Sequence, residues 1–306
     1  AKNNKTDVIV LDHHQSEINL PEAFSIVNPN RLDDKSNLQY LCAAGVSFMF
    51  LVSLNRELRN KNWFIENNIK EPNLINYLDL VSLGTVCDVV PLVGLNRAIV
   101  KQGLKVFKSK KNLGIKTLID ICKIDTKPSI YHLGYLLGPR INAGGRVGKC
   151  SHGANLLLNK DPKHSFKLAS ELDQYNKERQ MLEKDLLKKI LNETKDHFND
   201  PVLIISGNNW HEGVIGIVAA RLKDKFNKPV ILISLNGKIG KASARSIVGF
   251  DIGSVIIGAT QKKILLKGGG HKMAGGFSIK IENIETFKDY TLKKFKGINE
   301  DLKSVK

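Results

Sequence analysis

The chain has 306 residues, 42% hydrophobic and 25% charged. That composition suits a globular protein of two domains and excludes disordered, collagen-like and disulfide-scaffold classes. Lys and Arg number 47 against 30 Asp and Glu, a formal charge of +17, which favours a polyanionic partner and above all nucleic acid. Only nine of the 47 are Arg, in a chain rich in Asn and Ile, so compositional bias competes with a binding face as the source of the surplus.

In chain order, the polar opening (Ala1-Lys2-Asn3-Asn4-Lys5) carries no secretory signal. Residues 7–11 form a short apolar run that stops at Asp12-His13-His14. It reads as a buried parallel strand delivering polar groups at its C-terminal end, where open α/β sheets bind ligands. The longest near-apolar run, 41–54, has 14 residues and includes Gly45 and two serines. A membrane span needs about 18, so this run belongs to a buried helix over 38–58. Further helices are predicted over 73–83, 96–107 and 130–137, and residues 138–146 read as a Gly-rich basic loop. Residues 165–198 hold neither Gly nor Pro and carry an incomplete apolar stripe, the pattern of a long helix that connects two bodies. After Asp200-Pro201 the pattern becomes strand (202–205), helix (213–226), strand (229–234), an Asn236-Gly237 turn, strand (238–245), helix (251–260) and strand (275–281). The expected domains are 1–160 and 200–306, joined by a connecting helix over 161–199. Cys42, Cys87, Cys122 and Cys150 show no metal-ligand spacing, so free thiols in a reducing, cytoplasmic compartment are expected.

Chemistry-bearing residues stand out at several places. Adjacent residues of an extended segment point to opposite sides. At a strand end, then, one of His13 and His14 is free to ligate a metal while the other meets substrate; the competing reading is a capped turn. Imidazole with carboxylate suits Mn²⁺, Zn²⁺ or Fe²⁺, whereas Mg²⁺ prefers oxygen. Asp88 interrupts the apolar stretch 83–92, where burial is expected, and a buried carboxylate calls for a cation or a cap. Asp12, His13, His14 and Asp88 together amount to one metal site. Three further elements suit phosphate. Arg140, Asn142 and Arg146 lie among glycines. Lys241, Ser243 and Arg245 share one face of a strand. Residues 267–272 read as a glycine loop closed by His271. Trp210-His211-Glu212-Gly213 opens a helix, where anions are favoured.

Taken together these residues resemble the DHH phosphoesterase superfamily, and within it the RecJ-type single-strand-specific DNA exonucleases. Residues 8–14 look like the name-giving motif, and residues 83–92 resemble the later aspartate motif, with Cys87 where Ala is commoner. Residues 138–146 are similar to a RecJ-type segment that smaller members lack. Gly268-Gly269-Gly270-His271, followed by Met273-Ala274-Gly275-Gly276, looks like the signature of the DHH-associated domain, and residues 210–216 and 243–246 also match. The likeness covers nearly the whole chain. It implies an α/β fold: a partial DHH domain with a mainly parallel sheet, a long connecting helix, and a smaller α/β DHH-associated domain. It implies a 5′→3′ exonuclease on single-stranded DNA in repair and recombination, using Mn²⁺ or Mg²⁺. By the same analogy His13 and Asp88 are metal ligands, and Asp12 and His14 act beside the metal. Arg140, Asn142, Arg146, Ser243, Arg245, Ser246, Gly269, Gly270 and His271 hold substrate phosphates. A monomer is expected, with no membrane association and with a helicase or single-strand-binding protein as partner. The superfamily's first aspartate motifs lie upstream of Asp-His-His and its fuller members end in an OB-type domain. The chain is therefore expected to be a fragment with weak or absent catalysis alone. The rivals are a phosphodiesterase for very short oligonucleotides or cyclic dinucleotides, and a non-catalytic nucleic-acid-binding protein on the same fold.

Overall fold

The structure, a computed structural model, describes residues 4–16, 18–109, 111–193 and 199–304, the last seven by their backbone alone. It divides into two compact units, Ala1–Asn142 with Ser151–Asp173, and Ala143–Cys150 with Gln174–Lys306.

In the first unit β1 (Ile9–Leu11) pairs in parallel with β2 (Ser25–Val27). Then come α1 (Ala43–Asn60), the single turn α2 (Trp63–Glu66), a 3₁₀ turn (Leu74–Tyr77), α3 (Leu78–Cys87), α4 (Gly94–Lys108) and α5 (Leu113–Ile121). α3 is apolar nearly all round, as a helix buried among others must be. Leu78, Val81 and Ile99 form the core between α3 and α4. The two helices approach so closely that a Cβ at Gly103 would strike the Ser82 hydroxyl and the Leu78 carbonyl.

Two expectations fail at this point. The stretch 83–92 does not bury Asp88: α3 ends at Cys87, Asp88 is its C-cap, and the side chain is 40% exposed. Residues 138–146 are not a loop. A π-helical segment (His132–Leu137) runs directly into α6 (Gly138–Val147). The glycines serve packing here, since a Cβ at Gly138 would collide with Cys87 Sγ. The backbone N–H groups, committed to the helix, are not offered to an anion.

α7 (Ser151–Leu158) and α8 (Pro162–Glu193) follow, and the division between the units falls inside α6 and α8. The predicted helix over 165–198 is present as far as residue 193; residues 194–198 lie outside those described.

The second unit is a five-stranded sheet of order β3-β4-β5-β7-β6, from β3 (Leu203–Asn208), β4 (Val230–Asn236), β5 (Ile239–Arg245), β6 (Lys267–His271) and β7 (Ala274–Lys280). β3 and β4 are parallel and the other pairs antiparallel. α9 (Glu212–Phe226) and the end of α8 cover one face, with Leu186, Ile190, Val218, Leu222 and Leu232 between them. α10 (Ile252–Gln261) and α11 (Ile284–Ser304) cover the other, around Ile231, Ile233, Ile256, Phe277 and Phe287. Covered on both sides, β4 is a continuous apolar run, Val230-Ile231-Leu232-Ile233.

A third expectation fails here: residues 267–271 are the edge strand β6, not an anion-wrapping loop. Pairing with β7 commits the backbone groups on that side, and the missing side chains admit neighbours. A Cβ at Gly268 would lie 2.7 Å from Ile256, and one at Gly270 would strike the Ala274 carbonyl. Among the described residues no helix is long and apolar enough to cross a membrane, and all four cysteines are free thiols.

Candidate active site

In the first unit β1 stops at Leu11, and the chain turns at once around Asp12. Asp12 Oδ1 accepts the N–H groups of His13 (2.7 Å) and His14 (3.2 Å) and meets His14 Nδ1 at 2.7 Å. Burial pushes the Asp12 carboxyl up. The His14 side-chain hydrogen bond, the two backbone donors and the His14 charge outweigh burial and leave it below its ordinary value. A proton on His14 Nδ1 shared with Asp12 leaves the His14 Nε2 lone pair directed outward. The expectation that the two histidines point apart is corrected: their ring centroids are 4.6 Å apart, because the segment curls instead of continuing as a strand.

His13 reaches across to α3, with Nδ1 3.4 Å from Asp88 Oδ2. Two atoms bound side by side to one hard cation at about 2.1 Å stand roughly 3 Å apart. The spacing therefore fits a shared divalent cation as part of a coordination shell, and the N/O donor pair suits Mn²⁺ better than Mg²⁺, which would lean on the carboxylate oxygen. It is not a closed shell: among the described residues no group of three or more His, Cys, Asp or Glu side chains gathers to hold a metal. The neighbouring Cys87 adds no thiolate. Its Sγ lies under Gly138 and bonds the Leu133 carbonyl (3.6 Å), although the residue borders solvent. Burial, then the charges of Asp88 and Cys42, push the thiol up to about 11.

The three phosphate elements fare differently. Arg140 donates Nε to Asp173 Oδ1 (2.8 Å) and Nη1 to the Leu136 carbonyl (2.8 Å), a tie between α6 and α8 within the first unit. Asn142 is exposed on α6. In the second unit, Arg146 gives Nη1 to the Gly213 carbonyl (3.2 Å). Burial, then the charge of Arg179, hold its guanidinium below the ordinary value. Arg245 is lowered likewise, by burial and then by Arg146. Glu183 accepts from both Arg179 (2.7 Å) and Arg221. Arg146 and Arg245 thus remain two half-buried, mutually repelling cations, the electrostatic condition for taking an anion.

Residue type and register place the rest. Lys241, Ser243 and Arg245 face the same side of β5, as the alternation predicts. Across β7 they pair in rows: Lys241, Ser278 and Lys267; Ser243, Gly276 and Gly269; Arg245, Ala274 and His271. The middle strand offers only Ser, Gly and Ala, so two polar walls flank a low floor. A groove of about 520 Å³ lies there, lined by Lys241, Ser243, Lys267, Ser278, Ile215 and Glu212. Arg245 Nη1 touches Ser243 Oγ (3.3 Å), and Glu212 holds Lys241 (2.7 Å). His271 Nδ1 accepts the Met273 N–H (3.3 Å), so a neutral ring carries its proton on Nε2, as a donor. Ser246 does not join this face. It is fully buried, and its hydroxyl donates to the Phe250 carbonyl (2.6 Å). Gly269 is open on the groove side, while Gly270 serves the β6–β7 turn.

The helix opening singled out at residues 210–213 is a capped start, with His211 Nδ1 accepting the Gly213 N–H (3.1 Å), whereas sequence reasoning missed the asparagines 28, 30 and 96.

Comparison with known proteins adds independent support. The profile of the DHHA1 domain matches residues 182–297. The crystal structure of exonuclease RecJ bound to manganese superposes with a TM-score of 0.76 at 30% identity, over 95% of this chain and 70% of that one. This chain belongs to the RecJ family. RecJ from Thermus thermophilus in complex with Mn²⁺ gives a TM-score of 0.81 at 30% identity, over 95% of this chain and 41% of that one. The single-stranded-DNA-specific exonuclease RecJ of Salmonella typhimurium is 39% identical over 297 residues, 94% of this chain and 52% of its own length. The chain spans about half the length of the curated RecJ relatives of Salmonella typhimurium, Dickeya dadantii and Escherichia coli. RecJ structures are known with both Mn²⁺ and Mg²⁺, the cations expected from the sequence.

Proposed function

We propose that this RecJ-family chain carries the DHH and DHH-associated parts of a metal-dependent, single-stranded-DNA-specific 5′→3′ exonuclease. The enzyme works in DNA repair and recombination in the cytoplasm. On this reading residues 1–160 are the DHH domain, 161–199 the connecting helix and 200–306 the DHH-associated domain. The chain acts as a monomer, with a helicase or single-strand-binding protein as partner.

The observation that carries the reading is the His13–Asp88 contact at the mouth of β1, 3.4 Å between Nδ1 and Oδ2, in a chain that matches a manganese-bound exonuclease over most of its length. His13 and Asp88 would hold Mn²⁺ or Mg²⁺, which when bound supplies Lewis acidity toward the phosphodiester. Asp12, kept ionised by its three hydrogen bonds, fixes the His14 ring, and His14 Nε2 accepts or returns a proton at the scissile ester. Arg146, Ser243 and Arg245 bind a phosphate, and His271 Nε2–H donates to a second oxygen. All of these contacts are to backbone phosphate and none to a base edge, so sequence tolerance follows.

The test is hydrolysis by the full-length protein with Mn²⁺, offered a 5′-phosphorylated single strand, the matching duplex and a dinucleotide. Expected are mononucleotide release from the single strand alone, loss in chelator, and loss of at least 100-fold in His13→Ala or Asp88→Ala. Residues 1–306 alone, with two metal donors at the described site, should turn over far more slowly. Equal activity of the Asp88→Ala enzyme refutes the reading, and preference for the dinucleotide transfers it to the short-oligonucleotide phosphodiesterases.

A further inference from the structure

Both segments that bring His13 and Asp88 together are irregular. β1 ends at Leu11 before the histidines begin, and α3 ends at Cys87 before Asp88. Backbone bonds anchor the edges of these loops, from the Asp12 N–H to the Val27 carbonyl (3.0 Å), the Ser16 N–H to the Asn30 carbonyl (3.4 Å) and the Asp88 N–H to the Gly84 carbonyl (3.0 Å), and the carbonyls of His13, His14 and Pro91 are held instead by side-chain hydrogen bonds. Three carboxamides supply them. Asn28 Nδ2 donates to the His14 carbonyl (2.9 Å), and Asn30 Nδ2 donates to the His13 carbonyl (2.7 Å). Asn28 Oδ1 in turn accepts the Asn30 N–H (2.8 Å), which makes the pair one unit. Asn30 Nδ2 also reaches the Gln39 carbonyl (3.2 Å). On the next peptide, the Tyr40 carbonyl accepts from Asn96 Nδ2 (2.7 Å), whose other proton goes to the Pro91 carbonyl (2.9 Å), three residues past Asp88.

The connection is therefore continuous: histidine carbonyls, Asn28 and Asn30, the 39–40 peptide, Asn96, and the loop that follows Asp88. Asn96 has no exposed surface, and its Oδ1 finds no partner among the described residues. A buried, unsatisfied oxygen is a standing cost. A hydrocarbon of the same size avoids that cost but cannot donate, so the two donated bonds account for an amide at this position.

We propose that Asn28, Asn30 and Asn96 are positioning residues that set the spacing between His13 and Asp88 by joining the two loops through one chain of hydrogen bonds. Each touches a backbone carbonyl and none touches a reacting group. The consequence for metal binding rests on the function proposed above; the mechanical coupling does not.

The test uses the full-length protein and Asn96→Leu, which keeps the branched outline of four side-chain heavy atoms and removes both donors. Two quantities are read: hydrogen exchange in peptides covering 10–16 and 86–93, and the Mn²⁺ dissociation constant from electron paramagnetic resonance titration. Asn96 makes no hydrogen bond to residues 10–16, so a purely local role leaves that peptide unchanged. The proposal expects faster exchange in it, together with Mn²⁺ affinity weakened about ten- to hundredfold, the usual effect of removing an outer partner of a ligand. Faster exchange confined to 38–41 and 89–97, with unchanged Mn²⁺ affinity, overturns it. If Asn96→Leu does not fold, Asn30→Ala reads the coupling in reverse: exchange must rise in 89–93, and an unchanged 89–93 peptide overturns the proposal. Failure of the unmutated protein to bind Mn²⁺ overturns the function proposed for His13 and Asp88, while the exchange data still decide the coupling.

Discussion

Replacing Gly216 by Ala separates the stability of the second unit from the shape of its proposed anion site. Gly216 lies inside α9, where a glycine costs roughly 0.5–1 kcal/mol relative to Ala. Its missing Cβ would stand 2.8 Å from Ser243 Oγ and 3.1 Å from Arg245 Nη2, the first about 0.6 Å short of ordinary contact. Both neighbours are ends of side chains, so the fold accommodates the methyl by turning them away. The helix gain and the displacement then nearly cancel, and the melting temperature should move by no more than a few degrees. Binding should respond more. Losing the alignment of one charge-assisted hydrogen bond costs about 1.5–3 kcal/mol, or roughly 10- to 150-fold in affinity. The assay compares 5′-phosphorylated with 5′-hydroxyl oligonucleotides by fluorescence anisotropy, beside a thermal melt of each protein. The phosphorylated strand should lose its advantage while the melt hardly changes. Undiminished preference for the 5′-phosphate, with a native melt, would show that the Ser243–Arg245 face is not where the anion sits.

Other expectations concern the first unit. Asp79 is buried in the first turn of α3, and burial raises its carboxyl despite the Leu80 N–H it accepts. A raised carboxyl favours the fold below its ordinary value near 3.8 and loses that contribution as pH rises through the folded value. Asp79→Asn should therefore melt higher than the native protein at pH 7, with the difference shrinking toward pH 4; a pH-independent difference counts against burial as the cause. Cys87, with its thiol near 11, should alkylate at pH 8 about 100-fold more slowly than an ordinary thiol, as read by peptide mass mapping. Gly103→Ala should destabilise by at least ~2 kcal/mol in denaturant, because the methyl must force α4 off the backbone of α3. A smaller loss means the two helices are less tightly joined than they look.

How much was legible in the sequence depended on whether local pattern or tertiary context decided the structure. The alternation 241–243–245 has a period of two, so its shared face could be read without coordinates. The strand end at Asp12 was legible because a continuous run of β-branched and apolar residues stops there at polar ones. Gly268 to Gly270 and Gly138 to Arg146 were misread because glycine signals a loop only when nothing else recruits the backbone. Here β7 pairs with the first, and Cys87 presses against Gly138 of the second. Asp88 was taken as buried from its apolar neighbours, but the helix stops one residue earlier and turns it outward. Asn28, Asn30 and Asn96 left no trace, since their work is donated to carbonyls up to 56 residues away, and in a chain full of Asn nothing marks three of them.

The outermost strand of the second sheet is bonded on one side only and holds three consecutive residues without side chains. Such a margin is the first part of a sheet to fray. The imidazole at its tip thus rides on a backbone held by the sheet from one side. Under the proposed function, a phosphate docking there would give up some of its affinity to still the strand, and its release would restore that freedom.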